Sequence, residues 1–301
     1  MSLVDTGEHM AACVDAVRGG VPLVHCISAA VSLSMVADGL LAAGARPLMT
    51  ETPAEAPTMT AHSDALLVNL GTLSEAGARG IPASVAAARR HGVPWVLDPT
   101  AVGLAPVRTR LAGELLRPGG SAPHVIRGNA SEIVALAGVV DGDAQFSGAG
   151  FTGRGADAGP VASDVVRAWA SQLARRVGAV VVVSGAADVV IAEDGAFCEV
   201  PGGDRLLTQV TGTGCLHGAL IAACMGAGVD AWVAAVGASA WLARAAEIAS
   251  AEVAVGATDT AEAASPPRGG PGSFRVALLD ALYRVGALYR VGGAGHERFD
   301  R

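Results

Sequence analysis

No lysine occurs anywhere in the 301 residues; all 21 basic side chains are arginine. That excludes Schiff-base chemistry, a lysine general base and a phosphate loop of the GxxxxGKS/T kind, each of which needs the ε-ammonium group. Any phosphate must be held by arginine, backbone amides and metal. Aromatic residues make up 4% of the chain and the formal charge is −7. A base-stacking surface and a basic field for a nucleic-acid backbone are both missing, so nucleic acid is not an expected partner. The five cysteines form no CxxC pair, and the seven histidines show no HExxH or neighbouring Cys/His spacing, which argues against structural zinc. No basic segment followed by an apolar stretch opens the chain, and a cytoplasmic protein with reduced thiols is expected. The most hydrophobic part, Ala219 to Ala243, is interrupted by Asp230. Two buried helices are expected there rather than a membrane span, which needs about 20 mostly apolar residues in one run.

What is present is core material: 51% hydrophobic residues, 16% charged residues and 40 glycines. Apolar runs of strand length recur at Val21–Ile27, Ala45–Met49, Ala65–Leu70, Val93–Leu97, His124–Arg127 and Ala179–Val183. Their unbroken apolar character fits strands buried on both faces. Stretches of helical length lie between them, at Ser32–Ala43, Pro82–His91, Ser131–Ala137 and Val161–Arg176. The alternation predicts one α/β domain spanning residues 1–301, with a central, mostly parallel sheet flanked by helices. Its ligands should bind at the carboxyl ends of the strands. Two stretches break the rhythm: Gly142–Gly159 reads as a long loop, and Gly256–Gly272 as a flexible connection before a helix from about Phe274 to Tyr289. The glycine-rich tail from Gly292 to Arg301 is expected to fray.

Four segments carry candidate chemistry. Gly212-Thr213-Gly214-Cys215 precedes a strongly helical run, where backbone N–H groups and the helix dipole can hold an anion. A tight loop capped by Thr213 is the competing explanation. Cys215 in a first helical turn is placed to have a lowered thiol pKa and to accept a proton; the alternative is a small buried hydrophobe. Trp95-Val96-Leu97-Asp98-Pro99 ends an apolar run in a carboxylate, which places Asp98 where open sheets bind ligands. Arg127, Asn129 and Glu132 follow another run within six residues. Arginine clamps phosphate oxygens, and carboxylates suit hydrated magnesium, but Asn129 and Glu132 also fit a capping box.

Taken together the segments resemble the hydroxyethylthiazole kinase family, of the ribokinase-like superfamily. The resemblance runs from about Val21 to about Leu282 through PLVHCIS, LLAAGARPLM, DALLVNLGTL, VPWVLDPTAVG, VIRGNASEI, GADAG (Gly155–Gly159), VVVVSGAADVV, TGTGC and GPGSF, in order. It implies ATP-dependent phosphorylation of the primary alcohol of 4-methyl-5-(2-hydroxyethyl)thiazole for thiamine salvage, with Mg2+ as cofactor. It also implies a homotrimer whose active sites lie between subunits. Residue by residue, Arg127 would contact nucleotide phosphates, Asp98 and Glu132 would organise magnesium through water, and Ser184, Gly185 and Asp188 would lie near the nucleotide. Gly212 and Gly214 would form the anion hole, with Cys215 where ribokinase relatives carry an aspartate base. Met49, Gly71 and Thr72 would line the thiazole pocket, together with position 29.

Three places depart from the family's pattern. Ala29 and Asp38 stand where asparagine is expected, and Leu97–Gly103 reads LDPTAVG in place of LDPVGxG. Losing an amide from a pocket that hydrogen-bonds its ligand can change specificity. A related kinase acting on another small or heteroaromatic alcohol, and a non-catalytic nucleotide- or thiazole-binding paralogue, therefore stand as alternatives. No GxGxxG follows the first strand, which disfavours a dinucleotide enzyme.

Overall fold

All six apolar runs form strands, with every end within two residues of its expected place. In chain order the elements are α1 (Thr6–Gly20), β1 (Leu23–Ile27), α2 (Leu33–Ala43), β2 (Arg46–Met49), α3 (Ala56–Ala61), β3 (Ala65–Asn69), α4 (Glu75–His91), β4 (Trp95–Asp98) and α5 (Pro106–Leu115). There follow β5 (Val125–Asn129), α6 (Ala130–Asp141), α7 (Ser163–Val177), β6 (Val180–Ser184), β7 (Asp188–Ile191), β8 (Phe197–Val200), α8 (Thr213–Gly226), α9 (Ala231–Val255) and α10 (Pro271–Tyr289). This computed structural model describes residues 5–117, 122–142, 163–255 and 269–289. The loop after Gly142, the GADAG block, most of the Gly256–Gly272 connection and the tail from Gly292 lie outside the described residues.

Among the described residues one eight-stranded sheet forms in the order β2-β1-β3-β4-β5-β6-β7-β8. Pairing is parallel from β2 across to β6 and antiparallel for β6-β7-β8. The winding direction reverses between β1 and β3, the kind of switch point at which open sheets bind ligands. Both faces are covered, which is why the strands read as continuous apolar runs. Val24, Cys26, Leu67, Val96, Val125 and Val182 face a core completed by α1, α2, α8, α9 and α10. Their neighbours Ile27, Leu66, Val68, Leu97, Ile126 and Val181 face the core under α3 to α7. Each large apolar side chain so buried contributes roughly 1.5–3 kcal/mol, and Trp95 and Trp241 are wholly enclosed, one in each core.

The helices differ more from expectation. α4 begins at Glu75 rather than Pro82, because Ser74 caps it by accepting from Gly77 N at 2.8 Å. Pro82 is carried inside the helix. α6 runs on to Asp141, where Gly142 closes it in the left-handed region at φ 78°. Helices α1, α3 and α5 and the hairpin β7-β8 were not expected. The apolar stretch from Ala219 is two helices, α8 and α9, and among the described residues no helix is long and apolar enough to cross a membrane.

Candidate active site

The carboxyl ends of β4, β5 and β6 and the N-terminus of α8 enclose a cavity of about 550 Å³. Asp98, Arg127, Glu132, Ser184, Gly185, Asp188, Gly214 and Cys215 all line it, so eight of the residues singled out in the sequence converge on one cleft. Asp98 ends β4 and is 2% exposed, with Arg127 Nη1 3.6 Å from its Oδ2. Thr100 Oγ1 donates to Asp98 Oδ1 at 2.7 Å. Glu132 closes the capping box of α6: its Oε2 accepts from Asn129 N at 3.0 Å, while Asn129 Oδ1 accepts from Glu132 N at 2.9 Å. The capping explanation is thus correct for this pair, and Glu132 does more. Its Oε1 accepts from Ala101 N at 2.9 Å, which holds the turn after Asp98 in place.

That turn contains one of the sequence departures. Ala101 adopts φ 64°, in the left-handed region, at the position where the LDPVGxG pattern has glycine. The departure places a β-carbon in a conformation where glycine is favoured.

At the other wall, Gly212 is the N-cap of α8 at φ 95°, and no side chain caps the helix. Thr213 is not a cap. Its hydroxyl donates to Leu207 O at 2.8 Å, tying the preceding loop to the helix and leaving the first-turn N–H groups to face the cleft. Gly212 itself does not line the cavity; a β-carbon there would lie 3.0 Å from Ser32 Cβ and 3.1 Å from Met35 Cβ. A β-carbon on Gly214 would lie 2.8 Å from Arg127 Nη1, so the bare backbone lets the guanidinium lie against the helix start.

Burial and charge set the protonation of the site. Burial raises Asp98, opposed by the Arg127 charge and by hydrogen bonds from Thr100 and Asn69. Glu132 is pushed up to about 7, first by burial and then by the Asp98 charge. Asp188 is raised by burial. The Cys215 thiol is also raised, by burial and then by Asp98, which corrects the expectation of a lowered value. The helix start is outweighed by a desolvated pocket with a carboxylate in it.

The four positions assigned to the alcohol divide. Ala29 and Gly71 lie side by side, since a β-carbon on Gly71 would sit 3.0 Å from Ala29 Cβ and 2.8 Å from Asn69 Oδ1. They adjoin the cleft through Asn69, whose Nδ2 donates to Cys215 Sγ at 3.3 Å. None of the four positions, Ala29, Met49, Gly71 or Thr72, lines the cavity itself; Thr72 is exposed and holds φ 44°. Sequence reasoning missed Asn69, Thr100 and His217. Asn69 ends a fully buried strand in a polar residue, the same signal that found Asp98. His217 is a polar side chain on the buried face of α8, with Nε2 2.9 Å from Ser239 Oγ and Nδ1 3.6 Å from Asp188 Oδ2. Burial holds its pKa well below the ordinary value.

The family model for hydroxyethylthiazole kinases matches residues 14–287. The chain belongs to the hydroxyethylthiazole kinase family. It is 42% identical over 271 residues to the hydroxyethylthiazole kinase of Corynebacterium glutamicum (strain R), covering 90% of this chain and 91% of that protein. It is 41% identical over 268 residues to that of Klebsiella pneumoniae subsp. pneumoniae, covering 89% and 92%. Among solved structures, a hydroxyethylthiazole kinase protein from Pyrococcus horikoshii OT3 superposes with a TM-score of 0.74 at 32% identity, over 92% of this chain and 93% of that one. A ribokinase-like superfamily protein from Enterococcus faecalis V583, at 12% identity and a TM-score of 0.56, shares the fold. The chain is thus a kinase with a ribokinase-like α/β fold.

Proposed function

We propose that this chain transfers the γ-phosphoryl group of ATP to the primary alcohol of 4-methyl-5-(2-hydroxyethyl)thiazole, giving the thiazole phosphate used in thiamine salvage. The observation that carries the reading is the uncapped start of α8, with Gly214 against Arg127 and Cys215 one residue further on, facing Asp98 and Glu132 across one cleft. Phosphoryl transfer depends chiefly on positioning and on neutralising charge. Arg127 and the first amides of α8 would hold the transferring group. Ser184, Gly185 and Asp188, at the β6-β7 turn, would hold the rest of the nucleotide.

The donor set fits magnesium held through water. Three carboxylates, Asp98, Glu132 and Asp188, share the cleft with one guanidinium, so acidic groups outnumber the cation that faces them. Among the described residues no three acidic, cysteine or histidine side chains converge to ligate a metal directly. Mg2+ keeps several waters beside phosphates, and when bound it would neutralise charge developing on the phosphate oxygens. Asp98 and Glu132 would orient those waters with the lone pairs that Thr100, Ala101 and Asn129 leave over.

The alcohol would approach from the β1/β3 switch point, between Ala29, Gly71 and Cys215, with Met49 and Thr72 completing its pocket. Val31, Leu33 and Leu41, in the turn and helix α2 that follow Ala29, are exposed. These exposed apolar side chains support the homotrimer with shared sites, in which a neighbouring subunit would bring Met49 and Thr72 into a pocket.

Magnesium-dependent ATP turnover against hydroxyethylthiazole, hydroxymethylpyrimidine, pyridoxal and plain alcohols tests the reaction. Fastest turnover with the thiazole alcohol is expected. Preference for another alcohol would give Ala29 and Asp38 the specificity role, and ATP binding without turnover would make the chain a binding paralogue. Light scattering at micromolar concentration tests the assembly, a monomer being the result that removes it. Cys215→Ser is expected to lower turnover while ATP affinity stays within about twofold, since the sulfur faces the alcohol and Arg127 faces the phosphates. Loss of ATP binding in that variant would show the thiol to be misplaced.

A further inference from the structure

We propose that Asn69 is a positioning residue for the transfer, fixing the Cys215 sulfur and the Asp98 carboxylate in one frame at the β1/β3 switch point. The proposal rests on the kinase reading above.

Asn69 ends β3 directly opposite Asp98 of β4 in the parallel register, and it is 2% exposed. The orientation of its amide is determined, because Oδ1 accepts from Gly71 N at 2.7 Å. Nδ2 therefore faces the other way. It donates to Cys215 Sγ at 3.3 Å and stands close enough to the Asp98 carboxylate to favour its charged form. A carboxylate at this position could supply no N–H donor. On the alcohol side, the Ser32 hydroxyl donates to Ala29 O at 2.9 Å. Asn69 thus ties the rim of β3, beside Asp98, to the first turn of α8 at Cys215. Asn69 and Asn129 are the chain's two asparagines, and each ends a strand.

A side chain acting through the sulfur has a signature that mere packing lacks: its effect depends on whether the sulfur is there. Asn69→Asp keeps the shape and the acceptor for Gly71 N while removing both donors. In the full-length protein, on whichever alcohol the wild type phosphorylates fastest, Asn69→Asp is expected to lower kcat roughly 30- to 100-fold. That is the scale of a displacement of about 1 Å at a reacting centre, and KM for ATP is expected to stay within about threefold. In a Cys215→Ala background the same substitution is expected to cost less than about tenfold. Equal losses in the two backgrounds, or a rise in KM for ATP at unchanged kcat, would overturn the proposal. If Asn69→Asp does not fold by thermal melting, Asn69→Ala, which removes the donors without adding charge, takes its place with the same two criteria. A wild type that prefers a different alcohol corrects the substrate and leaves the comparison standing. A wild type with no turnover of any alcohol overturns both readings.

Discussion

Gly214→Ala separates the fold from the chemistry. The residue lies in the first turn of α8 with ordinary helical backbone, so alanine costs nothing in conformation and gains up to about 1 kcal/mol of helix propensity. The added β-carbon would stand 2.8 Å from Arg127 Nη1, 3.2 Å from Nη2 and 3.3 Å from Cζ. Carbon contacts settle near about 3.5 Å, so the guanidinium must retreat by roughly half an ångström or more. It is the far end of a flexible side chain, and the retreat costs the fold little. The retreat does alter the 3.6 Å contact with Asp98 and the place at which Arg127 meets a phosphate. The methyl also stands where the bare backbone would approach the anion. Removing one preorganised donor of this kind costs about 10²- to 10³-fold. Kcat/KM for ATP is therefore expected to fall roughly 100-fold while urea denaturation gives a stability equal to wild type or up to about 1 kcal/mol higher. A coupled ATP assay and a denaturant titration on the same preparation read both quantities. Kcat/KM within threefold of wild type would refute the reasoning, because Arg127 and the helix start would then not act on the same group.

Two further substitutions test the backbone and the buried histidine. Ala101→Gly relieves a left-handed alanine, worth about 1–2 kcal/mol, against an unfolded-state entropy cost of about 0.4–1 kcal/mol; a net gain of about 0.5 kcal/mol is expected by urea titration, and a loss of that size would show the turn is not strained. His25 is fully buried between Thr60 Oγ1 and Thr50 O, and burial lowers its pKa. Below pH 6.5 the unfolded chain therefore takes up a proton that the native state refuses, and stability is lost as pH falls, by at most about 1.4 kcal/mol per unit. His25→Gln does not titrate, so the stability difference, wild type minus variant, is expected to shrink between pH 7.5 and 5.5; a constant or widening difference refutes the sign.

The sheet was legible because strands covered on both faces need no alternation to be recognised: Ala65–Asn69 and Trp95–Asp98 are buried along their whole length. β7 and β8, no shorter than β4 but only partly buried and carrying Asp188 and Glu199, form no unbroken apolar run. Helix α1 carries a readable stripe at Met10, Cys13, Val14 and Val17, but cysteine and alanine dilute it. For α4, the proline at position 82 suggested a start that the Ser74 cap moves back by seven residues. In the site, polar residues that end buried runs were the useful signal, and Asn69 carries it as plainly as Asp98. The partners of those residues were not legible. Asn69 and Cys215 are 146 positions apart, and their contact depends on β3, β4 and α8 meeting at one rim.

The same distance explains why the local reading of Cys215 had the wrong sign. A first-turn thiol is stabilised as thiolate by nearby amides, but burial and Asp98, brought from another strand, act more strongly. A site of this kind asks little basicity of its thiol, because a loose phosphoryl-transfer transition state forms before much proton abstraction is needed. It asks much of its amides and its arginine, which must stabilise charge on the transferring oxygens. The backbone follows that division. Gly212 holds φ 95° at the helix start and Ala101 holds φ 64° after Asp98, one presenting N–H groups and the other bringing its amide to Glu132. Gly212 and Ala101 thus place left-handed backbone at two points of the cleft's rim, and the Cys215 sulfur is held by the Asn69 side-chain amide. Substitutions that move the backbone here should cost more activity than those that change the thiol.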